Sequence, residues 1–175
     1  MIIYFGNQKH MKNAYTPWSK FEKNIIYGDI MLSKDFKEFI ELLNEHNVRY
    51  LVVGGYAVAF HGYPRYTRDL DVWIELSPEN ADNVLKALED FGFGSLGLKP
   101  EDFLESEQII QLGYPPNRID ILTTLKEINF EACYKARVEV DIQGLKINFI
   151  DLENLKHNKR ATGRPQDLAD AENLE

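Results

Sequence analysis

Leu51-Val52-Val53-Gly54-Gly55 is followed, after thirteen residues, by Asp69-Leu70-Asp71-Val72, and these two segments indicate the fold most clearly. The apolar, β-branched run Val48–Val53 predicts a strand, the two glycines predict a turn, and Tyr56–Phe60 then predicts a short buried helix. In the second segment apolar residues alternate with polar ones, which predicts a strand with two distinct faces over Asp69–Leu76. The chain therefore contains a strand, a glycine turn, a helix and a second strand.

Patterns on either side extend this arrangement. Helical spacing of apolar residues behind Ser33 predicts a first helix, and Ser77-Pro78-Glu79 predicts the start of a helix that runs through Phe91. Further helices are predicted over residues 128–136, from an Asp151 cap to about residue 161, and from Pro165 onward. Short strands are predicted over residues 108–112, 118–123, 138–142 and 145–150, paired as two hairpins. We expect an α/β fold, a mixed β-sheet flanked by helices, over residues 33–175.

Residues 1–32 differ from the rest, because their aromatic side chains follow no clean period. These side chains are Tyr4, Phe5, Tyr15, Trp18, Phe21 and Tyr27. We interpret this segment as an N-terminal extension that wraps the domain through its aromatics.

The composition of the 175 residues, 44% hydrophobic and 27% charged, is typical of a single globular domain. Cys133 is the only cysteine, which excludes an internal disulfide and multi-cysteine metal sites and favours a small packing residue. We find no apolar run of bilayer length and no secretory signal, so we expect a cytoplasmic protein without a membrane partner. The net charge of −8 repels nucleic acids, so an RNA or DNA partner must meet a local basic patch.

Asp69 and Asp71 lie two positions apart on one predicted strand, so both carboxylates point to the same face. Hard oxygen ligands of this kind suit Mg²⁺, which binds one or two carboxylates and completes its shell with water and substrate phosphates. A solvated strand face is the alternative. Likewise, Gly54-Gly55 would let backbone N–H groups approach a phosphate, or would simply allow tight packing.

Taken together, the glycine turn, the spacer and the Asp-Leu-Asp strand resemble the signature of the DNA polymerase β-type nucleotidyltransferase superfamily. Gly62-Tyr63-Pro64-Arg65-Tyr66-Thr67-Arg68 is similar to the Gly-x-x-Arg-x-Thr segment that precedes the two aspartates in minimal members. Asp120, in Arg118-Ile119-Asp120-Ile121-Leu122, matches the third carboxylate of the family. The tail Lys156–Asp170 is similar to the ending of small bacterial members related to the abortive-infection type IV toxins. The resemblance covers roughly residues 36–174.

This resemblance implies a metal-dependent enzyme that moves a nucleotidyl group from an NTP to an acceptor hydroxyl. Two Mg²⁺ ions, or Mn²⁺ in their place, are implied at three carboxylates that are both ligands and catalytic residues: Asp69, Asp71 and Asp120. The residues implied to bind the nucleotide are Gly54, Gly55, Arg65, Thr67, Arg68, Lys159 and Arg164, with Asp167 holding one of the last two cations. Gly55 departs from the family pattern, because a serine often stands there, and the loss of its hydroxyl calls nucleotide affinity or catalysis into question.

Three acceptors remain open. The basic tail favours RNA, the acidic chain favours a cationic small molecule of the aminoglycoside type, and a side chain of a partner protein is the third. A non-enzymatic alternative is a nucleotide-binding or antitoxin-like module of the same fold. His61 is interpreted as structural or substrate-lining, since no other histidine or cysteine stands at zinc-ligand spacing.

Overall fold

The computed structural model of the chain describes residues 2–4, 32–115 and 117–174. Its strands are β1 (Ile2–Tyr4), β2 (Tyr50–Val52), β3 (Asp69–Ile74), β4 (Ile109–Leu112), β5 (Arg118–Leu122), β6 (Val138–Ile142) and β7 (Leu145–Phe149). Its α-helices are α1 (Lys34–Glu45), α2 (Gly54–Phe60), α3 (Pro78–Leu88), α4 (Phe130–Ala136), α5 (Leu152–Thr162) and α6 (Pro165–Asn173).

Within these described ranges, seven strands form one mixed sheet in the order β1-β4-β5-β3-β2-β7-β6. The central strand β3 pairs parallel with β5 and antiparallel with β2. Both predicted hairpins are present, because β4 pairs antiparallel with β5 and β6 pairs antiparallel with β7. The predicted α/β class, a mixed sheet with helices, is confirmed.

Helix starts follow the capping residues in the sequence. The Ser33 hydroxyl accepts a hydrogen bond from the Phe36 N–H at 3.3 Å at the start of α1, and Ser77 caps α3 in the same way. The helix predicted through Phe91 is present, but it is not α-helical throughout. It is α-helical to Leu88 and continues as a π-helical turn over Glu89–Phe93, in which Gly92 at φ 95° takes a left-handed conformation.

The two faces of β3 have different surroundings. Leu70 and Val72 lie on one face and are fully buried in the core. On the other face Asp69 and Asp71 are only partly buried, whereas Trp73 is covered by Phe130 of α4 at a ring-centroid distance of 5.0 Å. The polar face of the sheet is therefore closed at the tryptophan end, and its aspartates reach solvent at the other.

Strand β1 was not predicted from the sequence. Its backbone pairs parallel with β4, with Ile3 opposite Gln111, and so adds a strand beside the β4–β5 hairpin. The predicted packing of the extension's aromatic side chains lies outside the described residues. Among the helices in the described ranges, none is both long and apolar enough to cross a membrane.

Candidate active site

Three aspartates and an arginine meet on the polar face of the sheet. The parallel register of β3 and β5 sets Asp69 opposite Arg118 and Asp71 opposite Asp120. Side chains at alternate positions of paired strands share a face, so all four project to the same side. The three carboxylates that the family resemblance singled out are thus brought together by strand pairing.

The Arg118 guanidinium donates hydrogen bonds to two of these carboxylates. Its Nε donates to Asp120 Oδ1 at 2.7 Å, and its Nη2 donates both to Asp120 Oδ2 at 2.9 Å and to Asp69 Oδ2 at 2.5 Å. Gln111 Nε2 adds a 3.1 Å hydrogen bond to Asp120 Oδ2. Asp120 is only 6% exposed, and burial of a carboxylate without partners is costly. The hydrogen bonds from Arg118 and Gln111 offset this cost, a role that the sequence analysis gave to neither residue.

Asp71 lies in the least favourable position for a negative charge. Burial, together with repulsion from Asp69 and Asp120, raises the pKa of its carboxyl to about 7, although Lys159 and Arg118 act in the opposite direction. Burial also raises the pKa of Asp120, against the hydrogen bonds from Arg118 and Gln111. Lys159 is itself paired with Asp167 and Asp170, so Arg118 alone does not balance the charge of three carboxylates, and a bound metal ion would relieve the excess.

The glycine turn packs directly on these side chains. Gly54 has φ +60°, and a Cβ on it would lie 1.9 Å from Asp71 Oδ2. A Cβ on Gly55 would lie 2.5 Å from Thr67 Oγ1. Both glycines are therefore required by close packing, the alternative that the sequence left open beside phosphate binding.

Thr67 connects the turn to the first aspartate. Its hydroxyl donates to Asp69 Oδ1 at 3.0 Å, and its side chain fills the space where a side chain at position 55 would stand. The threonine thus places a hydroxyl beside the glycine that replaces the serine common in the resembling family.

We expect Gly55→Ser to destabilise the protein rather than restore a lost function. Overpacking a closed site costs about 2 kcal/mol, which lowers the melting temperature of a domain of this size by roughly 4–8 °C. Circular dichroism melting would measure this, with Gly94→Ser as control, because the nearest atom to a Cβ there is at an ordinary 3.4 Å. In a Thr67→Gly background, Gly55→Ser should lower the melting temperature by a smaller amount. An unchanged melting temperature for Gly55→Ser would contradict the packing argument.

Five charged residues near the C-terminal helices form what we term the C-terminal ion cluster: Arg65, Lys159, Arg164, Asp167 and Asp170. Lys159 Nζ, 4% exposed as a residue, contacts Asp167 Oδ1 at 2.9 Å and Asp170 Oδ2 at 2.8 Å. Arg65 binds Asp170 with two hydrogen bonds of 2.7 and 2.9 Å, and Arg164 Nε lies 2.5 Å from Asp167 Oδ2. The cluster fastens the loop before β3 to α5 and α6.

This cluster bears on the basic residues proposed for nucleotide binding. Asp167 holds both Lys159 and Arg164, where the sequence predicted that it holds one of the two. Lys159 and Arg65, however, are engaged by buried carboxylates, so either could reach a phosphate only by breaking those pairs. Arg164, whose side chain is 73% exposed, and Arg68, which lies exposed over the Tyr66 ring, keep an outward-facing position.

The oxygen ligands on this face suit one divalent ion that takes only part of its coordination shell from the protein. Within the described ranges, no group of three or more His, Cys, Asp or Glu side chains stands in a position to hold a metal ion. Arg118 occupies the space between Asp69 and Asp120. Mg²⁺ usually takes one or two carboxylates from a protein and completes its coordination shell with substrate phosphates and water. Asp69 and Asp71 would supply these two carboxylates.

Two further residues have structural roles. The His61 ring donates from Nε2 to the Ile150 carbonyl at 2.7 Å, and burial lowers the pKa of the ring, so His61 connects α2 to the end of β7. Cys133 is fully buried, and burial raises the pKa of its thiol to about 11. The prediction that Cys133 is a packing residue is confirmed.

Comparison with known proteins identifies the family. A nucleotidyltransferase-like antigenic protein from Paracoccidioides brasiliensis is 20% identical, covering 82% of this chain and 77% of that chain, with a TM-score of 0.48. A proposed nucleotidyltransferase from Thermotoga maritima is 18% identical, covering 79% and 86%, also with a TM-score of 0.48. No curated protein matches the sequence. Residues 31–175 match the profile of the family described as nucleotidyltransferase of unknown function, DUF6036, and the chain belongs to that family.

Proposed function

We propose that the protein transfers a nucleotidyl group from an NTP to an acceptor hydroxyl in a Mg²⁺-dependent reaction. The observation that carries this proposal is the convergence of Asp69, Asp71 and Asp120 on one sheet face beside the Gly54-Gly55 turn, in a member of a nucleotidyltransferase family. A cytoplasmic location accords with a reaction that uses an NTP.

In this reaction the acceptor oxygen forms a bond to the α-phosphorus, and the bond from that phosphorus to the β-phosphate oxygen breaks. Pyrophosphate leaves, and the acceptor proton passes to a carboxylate of the site. A divalent ion supplies charge neutralisation of the triphosphate and lowers the pKa of the acceptor hydroxyl. Asp69 and Asp71 would hold it, with Mn²⁺ able to replace Mg²⁺.

Thr67 and the glycine turn orient this ligand pair. Thr67 fixes Asp69 through a hydrogen bond, and Gly54 allows the Asp71 carboxylate to lie against the start of α2. The first N–H groups of a helix have no partner within it, so those of the turn can donate to the phosphates. Arg68 and Arg164 lie exposed at the surface and are the cations that we assign to the triphosphate. Lys159 and Arg65 act indirectly, by holding the loop that carries Thr67.

The described residues give less information on the acceptor than on the NTP. The basic tail that favoured RNA contains Lys156, Lys159, Arg160 and Arg164. Of these, Lys159 is buried in the C-terminal ion cluster, and Lys156 pairs with Glu153 at 3.8 Å. These contacts weaken the argument for RNA, while the carboxylate-rich face and the net charge of −8 suit a cationic small molecule. A partner protein and the toxin-related role stay predictions. Because the three carboxylates are all in place, we do not favour a module without turnover.

Mg²⁺ together with an NTP should raise the melting temperature far more than either alone. NTP without metal is repelled by the carboxylates, and metal without phosphates finds few ligands. At a ligand concentration of about 100 times the dissociation constant, linkage gives about 2.7 kcal/mol, or roughly 5–10 °C. Differential scanning fluorimetry with ATP, GTP, CTP and UTP would test this and reveal the base preference.

Asp71→Asn serves as the control for that experiment, because it removes a ligand without changing the shape of the side chain. Its metal-dependent stabilisation should be lost. Equal shifts for the wild type and Asp71→Asn would contradict the assignment, as would the absence of a shift with any of the four nucleotides in Mg²⁺ or Mn²⁺.

A further inference from the structure

We propose that the guanidinium of Arg118 takes the place of one of the two divalent ions that the family resemblance implies, so that this site binds a single divalent ion. The inference rests on the proposed function and deepens it. It assigns a role to an arginine that the sequence reading placed only on a strand.

The geometry supports this placement. Arg118 and Asp120 are two residues apart on β5 and share a face, and the register with β3 brings Asp69 directly opposite Arg118. Three N–H···O contacts of 2.5–2.9 Å then place the guanidinium between Asp69 and Asp120. A metal ion bridging these two carboxylates would need the same space. Both Asp120 oxygens are already engaged, since Gln111 adds a second donor to Oδ2.

Asp71 is arranged differently. Arg118 donates its hydrogen bonds to Asp69 and Asp120, whereas Asp71 Oδ2 lies 1.9 Å from where a Cβ on Gly54 would stand. Asp69 also accepts two hydrogen bonds, at Oδ2 from Arg118 and at Oδ1 from the Thr67 hydroxyl at 3.0 Å. A single neutral hydroxyl, unlike the guanidinium, leaves Oδ1 able to accept a cation as well. The ligands that remain for a metal are therefore Asp71 and the Oδ1 oxygen of Asp69. Asp120 is a positioning residue for Arg118 in this arrangement rather than a metal ligand.

The net charge of these four side chains also matches a single divalent ion. Asp69, Asp71 and Asp120 carry three negative charges when ionised, and Arg118 contributes one positive charge. The remaining two negative charges are those that one divalent ion neutralises. An arginine is suited to a permanent role of this kind, because its guanidinium does not lose its proton in proteins and its planar fork matches carboxylates.

The test is a count of bound Mn²⁺ per chain by electron paramagnetic resonance, with the metal as the only added ligand and at concentrations high enough to fill a site that two carboxylates hold weakly. The wild type should bind one ion. Arg118→Gln should bind two, because Asp69 and Asp120 then become available together, and Arg118→Gln/Asp120→Asn should return the count to one. Arg118→Lys keeps the charge and should stay at one. Arg160→Gln, which removes the same charge from an exposed arginine of α5, is the matched control and should also stay at one.

The outcomes separate this inference from the function on which it rests. Two ions on the wild type, or one ion on a folded Arg118→Gln, would overturn the role of Arg118 and leave a metal-dependent enzyme. The absence of bound Mn²⁺ in both proteins would overturn the metal site together with the inference. If Arg118→Gln does not fold, the number of Mn²⁺ ions bound by the wild type and by Arg118→Lys still tests the proposal, because two ions on either protein would contradict it.

Discussion

Asp71→Asn should lower nucleotidyl transfer by at least ~100-fold, because even residues that only support a metal ligand are worth 10–100-fold in affinity or activity. The same substitution should make the metal-free protein more stable. Asp71 is the carboxylate that neither Arg118 nor Thr67 engages, and asparagine removes its charge at nearly constant shape. Transfer of label from NTP to acceptors in a cell extract, together with thermal melting, would measure both effects.

The gain in stability depends on pH in a defined direction. The pKa of Asp71 rises from 3.8 to about 7 on folding, so the folded protein loses stability as pH rises through that interval. A difference of this size corresponds to about 4 kcal/mol, and partial exposure to solvent reduces it to on the order of 2 kcal/mol. Asp71→Asn should therefore melt roughly 4–8 °C higher than the wild type above pH 7 and close to it near pH 4.

Two other aspartates provide controls. Asp69→Asn should also lose transfer but should gain no stability, because it gives up the Arg118 ion pair and weakens the Thr67 contact. Asp82→Asn removes an exposed carboxylate from α3 and should change neither property. Undiminished transfer by Asp71→Asn, or a stability difference that is the same at every pH, would refute the role assigned to Asp71.

The largest loss of stability is expected from Asp170→Asn. Asp170 is fully buried and binds Lys159 and Arg65, so its loss leaves those cations with Asp167 as the remaining buried carboxylate of the cluster. Removing one partner of a buried ion pair costs about 3–5 kcal/mol, which corresponds to a fall in melting temperature of roughly 10 °C. Chemical denaturation would give the free energy of unfolding directly.

The pH dependence again has a defined sign. Burial opposes ionisation of Asp170, but hydrogen bonds from Arg65, Lys159 and Gln166 outweigh it and lower its pKa. Its contribution is therefore present above the ordinary aspartate pKa and is lost as pH falls below about 4. Glu153→Gln removes a carboxylate that is 80% exposed from its pair with Lys156 and should cost less than about 1 kcal/mol of unfolding free energy. Equal costs for the two variants would show that the buried cluster adds little.

Local patterns predicted most of the fold. The alternation around Asp69 and Asp71 identified β3, and the serine caps identified the starts of α1 and α3, because each signal lies within a few residues of the element that it specifies. Strand β1 was missed, since three residues in a segment without periodicity give no such signal. Its position depends on the distant strand β4.

The site was predicted in part, for the same reason. The three carboxylates were found through family resemblance. The fork of Arg118 over Asp69 depends on the register of β3 with β5, which no local pattern specifies. Lys159 was assigned to phosphates through the resemblance of the basic tail to the ending of small family members. Its burial against Asp170 follows from the packing of α5 on α6, which pattern reasoning does not provide.

The pairing of Arg65 with Asp170 spans 105 residues of sequence. A chain growing on the ribosome exposes the Thr67 loop, the glycine turn and all three acidic side chains long before Asp170 is synthesised. Until α6 emerges, Arg65 lacks this carboxylate, and the loop that sets Thr67 against Gly55 is not fastened to the C-terminal helices. Thr67 is therefore fastened in place only after α6 has left the exit tunnel, later than the pairing of β3 with β5 that brings the three carboxylates together.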